Sequence, residues 1–433
     1  MKNEKLWISW NENKKHSYEH MFKIETEEDF VNAIEQSENV RYFGTKQSSS
    51  DISAGTDALI DIREYNKIVY TDYYAMEVTV QSGIKLSEFL NYLEKLNWTL
   101  PCLPDINTIT VGGALATGTH GTSGKLLASY MVNCRLILAD GKIIEVNESD
   151  ELMDALRVSL GLLGAFSTIT FRCTENYTLH ITESSENDKV WLKSLEEQIK
   201  FFDFYRILWI PHTDSGYVIR GKKISKEIKI NENLGPSYLS KRRKISKLLY
   251  KFSDYQPWTV FYANKILKQL FFSSNKEYKG SLYQATVTKS RGSTLELAEW
   301  SIKRDKFSKL FLELKTTINS FKNKAFIHIP MDVRFVDSDS SWLSNAYGYD
   351  VVTLGCVTRN AKTADDYAAF EVVEKLFLKY GGRPHWGKRF DAGDLEFQKL
   401  YPKWNEFKLL RSRMDPTNKF MNEYLRKIFS PSL

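Results

Sequence analysis

Cysteine is scarce and scattered: Cys102, Cys134, Cys173 and Cys356 are the only four in 433 residues, and none forms a C-x-x-C pair. That pattern offers no disulfide framework and no cysteine zinc site, and it suits a reducing compartment. No run of about eighteen apolar residues occurs, and Met1-Lys-Asn-Glu-Lys has no apolar signal core, so the expectation is a cytoplasmic protein. Both common nucleotide loops are missing. No Gly-Lys-Ser/Thr ending closes a P-loop, and no glycines show the G-x-G-x-x-G spacing. Charge of one sign is also sparse: the net charge is +6 with basic residues spread along the chain, which excludes a nucleic-acid stripe. Internal repeats and low-complexity segments are lacking too.

What is present is globular. Hydrophobic residues make up 42% and aromatics 13%, and 433 residues exceed one ordinary core, so two domains are expected. The most informative stretch runs Thr110-Val-Gly-Gly-Ala-Leu-Ala-Thr-Gly-Thr-His-Gly-Thr-Ser-Gly124, with five glycines and five Thr/Ser hydroxyls in fifteen residues. Gly112, Gly113 and Gly118 permit positive φ or close approach of another group. Free amides beside small hydroxyls suit a phosphate or the polar edge of a flat heterocycle. The loop Gly44-Thr-Lys-Gln-Ser-Ser-Ser-Asp51 offers the same donors.

Along the chain, Thr26 reads as the N-cap of a helix with an acidic first turn. Short strands follow at 40–43, 58–62, 68–70 and 77–83, with a helix from Leu86 to Leu96. Cys134–Val146 reads as a hairpin turning at Asp140-Gly141. From about Tyr177 strands at 205–211 and 216–220 lead into a lysine-rich run, 222–251. Its segment 241–251 is basic on one side and apolar on the other if helical. It reads as a solvated face, with membrane-surface contact as the sharper alternative. A helix-rich stretch to Lys324 is expected next, then strands at 325–329, 332–335 and 351–357. Ala364–Tyr380 reads as a helix ended by Gly381-Gly382. Behind it lies Gly381-Gly-Arg-Pro-His-Trp-Gly-Lys388, more elaborate than a helix stop requires.

With both loops and this octapeptide, the sequence resembles the vanillyl-alcohol-oxidase-type (VAO/PCMH) FAD fold, in its sugar-1,4-lactone and alditol oxidase branch. The resemblance covers nearly the whole chain and includes Asp332-Val-Arg, Tyr401-Pro-Lys-Trp and Met414-Asp-Pro-Thr-Asn-Lys-Phe-Met. The implied fold class is α+β: an FAD-binding domain over 1–175, a substrate (cap) domain with an antiparallel sheet and flanking helices over 176–388, and a C-terminal segment, 389–433, returning to the FAD domain. The implied activity is oxidation of a CH–OH group of a sugar, lactone or polyol, with oxygen or another carrier as final acceptor and no metal.

The resemblance also implies the site. Cofactor contacts fall on Gly44, Thr45, Lys46, Gln47, Ser48 and Ser49, and on Thr110, Gly112, Gly113, Thr117, Gly118, Thr119, His120 and Gly121. The Leu160–Ile169 turn, with Gly164 and Ile169, would run beside the adenosine end, and His385 and Lys388 would sit near the flavin. Lys388, Arg334 and Asp332 form the catalytic set, and Asp105 and Cys356 join these three at the substrate. A fixed cation in a dry pocket stabilises the charge that builds as hydride leaves a carbinol carbon. His120 reads as a hydrogen-bonder within its loop, and His385 as packing on Trp386. Many relatives carry a flavin-linking His where Gln47 stands, so the FAD is expected to be non-covalent. Polyol oxidases carry Glu where Asp332 stands, and they place a His near Gly355-Cys356. The Pro104-Asp105 segment is closer to decaprenyl-phosphoryl-ribose oxidases. The alternatives are therefore an oxidase of a lipid- or nucleotide-linked sugar, or an inert flavin- or ligand-binding protein.

Overall fold

The computed structural model describes residues 5–224, 236–286, 295–320, 327–359, 364–393 and 395–429. The N-terminal portion builds two sheets. In the first, Ala58–Asp61 lies between His20–Lys23 and Val40–Phe43, all parallel. The helix Glu27–Glu35 connects His20–Lys23 to Val40–Phe43, the two strands that flank Ala58–Asp61. Thr26 caps that helix reciprocally: its Oγ1 accepts the Asp29 amide at 3.1 Å, and the Asp29 carboxylate accepts the Thr26 amide at 2.9 Å. Phe30, Ala33 and Ile34 turn its apolar face inward. The second sheet is antiparallel, in the order Ile143–Asn147, Met131–Ile137, Ala165–Arg172, Glu77–Gln81, Ile68–Asp72. Its first hairpin turns at Asp140-Gly141, with Gly141 at φ 81°.

An eight-stranded antiparallel sheet follows, in the order Lys276–Ser281, Thr178–Asn187, Ser215–Ile224, Phe204–Ile210, His328–Val336, Val351–Arg359, Leu295–Lys303, Arg383–Pro384. Two expectations change here. The stretch before Lys324 is not uniformly helical, since Lys276–Ser281 and Leu295–Lys303 are strands. The strands expected at 325–329 and 332–335 are one strand from His328, with residues 325 and 326 outside the described set. Its register shifts between His328 and Asp332, across Pro330, which has no amide to donate to the ladder.

Helices Pro236–Lys251 and Thr259–Phe271 pack Tyr250, Val260, Ala263, Leu267 and Phe271 onto Leu208, Ile210 and Tyr217 of the sheet. Of the lysine-rich run, residues 225–235 lie outside the described set. The C-terminal segment returns to the first sheet. The Val40 amide donates to Lys419 O at 2.9 Å, and Asn39 Nδ2 donates to Met421 O at 2.6 Å. Asn422 Nδ2 reaches Asp51 O and Ala54 O at 2.7 and 2.5 Å.

Candidate active site

One cavity of about 340 Å³ gathers residues from the segments 1–175 and 176–388. That volume falls within the range of small-molecule sites, roughly 300–1,000 Å³. The first loop lines it from Gly44 to Ser48, and the Gly-rich stretch contributes Thr110, Gly112, Gly113, Thr117, Thr119 and His120. Gly44 is packed so closely that a Cβ there would sit 1.9 Å from Thr110 Oγ1, so the two loops touch through bare backbone. Gly112 and Gly113 lie in the short helix Val111–Ala116 rather than at positive φ. A Cβ on Gly112 would meet Ser82 at 3.0 Å, so close approach is the reason for glycine there.

Lys388 reaches the same cavity because its loop is anchored on both flanks. Trp386 is buried, donates Nε1–H to Leu343 O at 2.8 Å, and stacks on Phe397, Tyr401 and Trp404. From the other side the Ser49 amide donates to Gly387 O at 2.9 Å and Ser50 Oγ to Trp386 O at 2.8 Å. Ser49 thus ties the two loops together and does not line the cavity.

Asp332 and Arg334 project from one face of their strand into the cavity, while Val333 is fully buried on the other. Arg206, from the neighbouring strand, was not anticipated. It grips Asp332 with Nε to Oδ1 at 2.8 Å and Nη2 to Oδ2 at 2.6 Å. It also holds Asp105 at 3.0 and 2.7 Å. Arg334 donates from Nε to Asp332 Oδ2 at 2.8 Å, and from Nη2 to Asp332 and to Asp105 Oδ2, the latter at 2.7 Å. Two guanidiniums and two carboxylates form one net, and Arg334 Nη1 has no partner among the described residues. Burial opposes ionisation of Asp332, but the charges of Arg206 and Arg334 outweigh it and hold the carboxyl below its usual value. Burial likewise works against the Arg334 charge, and Asp105 and Asp332 outweigh it, raising its pKa.

A second unanticipated residue is Glu299, on the strand Leu295–Lys303. Its Oε1 lies 2.5 Å from His120 Nε2, while His120 Nδ1 contacts Gly121 O at 2.9 Å. His120 therefore reaches beyond its own loop to the eight-stranded sheet. Burial pushes the Glu299 carboxyl up, but the charge and hydrogen bond of His120, with the charge of Lys388, bring it well below the usual range. His385 does more than pack: its Nδ1 accepts the Gly387 amide at 3.0 Å, and the two imidazole rings lie 5.7 Å apart.

Several expected residues fall elsewhere. Cys356 is fully buried in the core, because strand alternation turns it away from the face on which Gly355 lines the cavity. Burial pushes its thiol up. Of the Leu160–Ile169 turn, Leu160 and Gly161 line the cavity, while Gly164 and Ile169 lie outside the lining. Gly164, at φ 147°, offers its carbonyl to Tyr42 Oη at 2.6 Å, and Ile169 is core. Gly118 backs onto Leu126 and Val158, and Gly121 onto Leu103 O, where a Cβ would sit at 2.2 Å. Asp105 lines the cavity as expected.

The donor set fits a dinucleotide flavin. Small-residue loops present backbone and hydroxyls without a blocking side chain. Arg41, buried in the lining, donates to Leu160 O, Gly161 O and Phe420 O at 2.7, 3.1 and 2.8 Å. Its Nε is buried with no hydrogen-bond partner among the described residues, a donor that a bound group would satisfy.

Comparison with known proteins agrees. A family described as D-arabinono-1,4-lactone oxidase matches residues 169–428, and an FAD binding domain matches residues 19–147. The chain belongs to the D-arabinono-1,4-lactone oxidase family. L-gulonolactone oxidase of Mus musculus is 30% identical over 92% of this chain and 91% of its own length. L-gulono-1,4-lactone dehydrogenase of Mycobacterium tuberculosis is 28% identical, with 92% of each chain covered. The crystal structure of cholesterol oxidase from B. sterolicum superposes with a TM-score of 0.79, covering 98% of this chain and 97% of that one, at 14% identity. That likeness concerns the fold, the VAO/PCMH α+β architecture. This member of the lactone oxidase family is an FAD-dependent oxidoreductase acting on a small-molecule substrate with an electron acceptor.

Proposed function

We propose that the chain oxidises a ring hydroxyl of an aldono-1,4-lactone, L-gulono-1,4-lactone being the first candidate because the similar proteins from mouse and M. tuberculosis are named for it. The observation that carries this reading is the meeting of two donor-rich loops with Lys388, Arg334 and Glu299 in one cavity. FAD bound along those loops supplies the two-electron oxidant, accepting hydride from the carbinol carbon. In this reading residues 1–175 with 389–433 hold the cofactor and 176–388 hold the sugar. Arg334 Nη1 binds a hydroxyl or the lactone carbonyl, with Asp332 and Arg206 fixing the guanidinium plane. Lys388 places a positive charge where negative charge develops. Gln47 supports a non-covalent cofactor, since residues 44–50 contain no His, Cys or Tyr to form a link. The four buried free thiols support a cytoplasmic location.

We also infer peripheral contact with an anionic membrane, beginning in the basic segment 241–251 and extending over the next helix. Leu248, Phe252, Tyr255, Trp258, Tyr262, Ile266 and Leu270 are all exposed there, alongside Lys244, Lys247, Lys251 and Lys265. Aromatic and aliphatic side chains rimmed by lysine suit the lipid headgroup boundary.

The test of the enzymatic reading is anaerobic mixing of purified protein with L-gulono-1,4-lactone, D-arabinono-1,4-lactone, a polyol and a nucleotide-linked sugar while flavin absorbance is followed. Bleaching by a lactone ahead of the others is expected. Absence of bleaching by either lactone overturns the assignment.

A further inference from the structure

Three neighbouring strands set Asp332, Gly355 and Glu299 directly opposite one another in a single row. The middle position is bare. A Cβ on Gly355 would stand 3.5 Å from Asp332 Cβ and 3.8 Å from Glu299 Oε2. Gly355 is not at positive φ, so its backbone does not demand glycine; the missing side chain opens a notch in the cavity wall.

The two carboxylates flanking that notch are not equivalent. Both oxygens of Asp332 accept from arginine, as do both oxygens of Asp105 behind it. Glu299 uses only Oε1, on His120, and its Oε2 has no partner among the described residues. Since a carbonyl oxygen only accepts, His120 Nδ1 carries a proton toward Gly121 O, and a second proton must lie in the Nε2–Oε1 contact. His120 thereby holds Glu299 in place as a hydrogen-bonded carboxylate with one oxygen open to the cavity.

We propose that Glu299 accepts the hydroxyl proton of the substrate across the Gly355 notch, with His120 as its positioning residue. The inference rests on the lactone-oxidation reading. As the C–H electron pair leaves as hydride for the FAD, the O–H pair becomes the second bond of the new carbonyl. The proton forms an O–H bond on Glu299 Oε2 and later passes to solvent. The carboxylate is weakly basic in the ground state, beside Lys388, His385 and Arg334. The hydroxyl turns strongly acidic as hydride departs, so a fixed, ionised acceptor is sufficient. His120, Glu299 and His385 also have ligand atoms within 4.8 Å of one another, a spacing a cation could use. The Gly387 amide on His385 Nδ1 leaves the proton on its Nε2, and a protonated nitrogen is no metal ligand.

Two measurements test the proposal on the FAD-loaded enzyme. In anaerobic reduction by L-gulono-1,4-lactone, Glu299→Gln should slow flavin reduction by about 100-fold or more. Bound FAD and substrate affinity should stay near wild type, and Glu299→Asp should restore part of the rate. Independently of turnover, proton NMR with isotope-labelled histidine should show a far-downfield His120 resonance that Glu299→Gln moves back toward the ordinary imidazole range. Wild-type reduction rates in Glu299→Gln overturn the proposal alone. No reduction of the wild type overturns the lactone reading and this proposal with it. Should Glu299→Gln lose FAD, the comparison passes to Glu299→Asp and His120→Asn. Unaltered reduction in both, or no downfield resonance in the wild type, then overturns the assignment.

Discussion

Arg206 and Arg334 hold Asp332 between two positive charges, and removing any member leaves an uncompensated charge in a nearly dry site. Breaking a buried pair in this way typically costs about 3–5 kcal/mol. Arg206→Met should therefore lower the thermal midpoint. It should also cut kcat/KM by at least about tenfold, one decade per 1.4 kcal/mol of lost positioning, while the flavin-to-protein absorbance ratio stays unchanged. Wild-type kinetics in that variant would make Arg206 a bystander. Lys388→Met should keep FAD and slow flavin reduction by about a hundredfold, the usual effect of one lost preorganised donor. Unaltered single-turnover reduction would make Lys388 structural. Glu299 gives a pH prediction with a definite sign. Its folded pKa lies below the ordinary 4.5, so the stability it contributes is complete above that value and is lost as pH falls through the folded one. The gap in thermal midpoint between wild type and Glu299→Gln should shrink as the pH drops below about 4.5. A gap independent of pH would contradict the assigned ionisation.

At the scale of elements, legibility followed local chemistry. The capping box at Thr26, the turn at Asp140-Gly141 and the alternation of Asp332 and Arg334 depend on a few adjacent residues, and sequence patterns sufficed for them. Leu295-Glu-Leu-Ala-Glu-Trp is built of good helix formers, yet it lies between Val351–Arg359 and Arg383–Pro384 as a strand. Its pairing comes from far along the chain and overrides propensity, which is why Glu299 was missed. Arg206 was missed for a related reason: an isolated arginine in Tyr205-Arg-Ile-Leu-Trp gains meaning only when strand register sets it opposite Arg334. Helix Thr259–Phe271 yields a prediction of its own. Trp258, Tyr262, Ile266 and Leu270 repeat every four residues on the face opposite its packed side. The protein should pellet with vesicles rich in phosphatidylglycerol, and the double variant Trp258→Ser, Tyr262→Ser should not. Equal binding to neutral phosphatidylcholine would remove the lysines from the explanation. A concentration-dependent dimer on gel filtration that the double variant abolishes would give this face to a second copy instead.

For the whole molecule, the cavity exists only because distant segments close on it. Arg41 joins the turn at Leu160-Gly161 to Phe420, Ser50 joins the first loop to Trp386, and Thr122 Oγ1 joins the Gly-rich stretch to Tyr205 O at 2.6 Å. A cofactor lying along those loops would bridge the same segments, so binding and folding should be coupled. Ligand present at about 100 times its Kd stabilises by roughly 2.7 kcal/mol, provided the unfolded chain does not bind it. A covalent flavin would show no such concentration dependence, because it cannot leave. With Gln47 where a linking His would stand, the protein should purify yellow and release its flavin into the supernatant on acid precipitation. Its thermal midpoint should rise with added FAD after the cofactor is stripped. Flavin retained in the acid pellet, or a midpoint indifferent to added FAD, would mean that some other residue anchors the cofactor covalently.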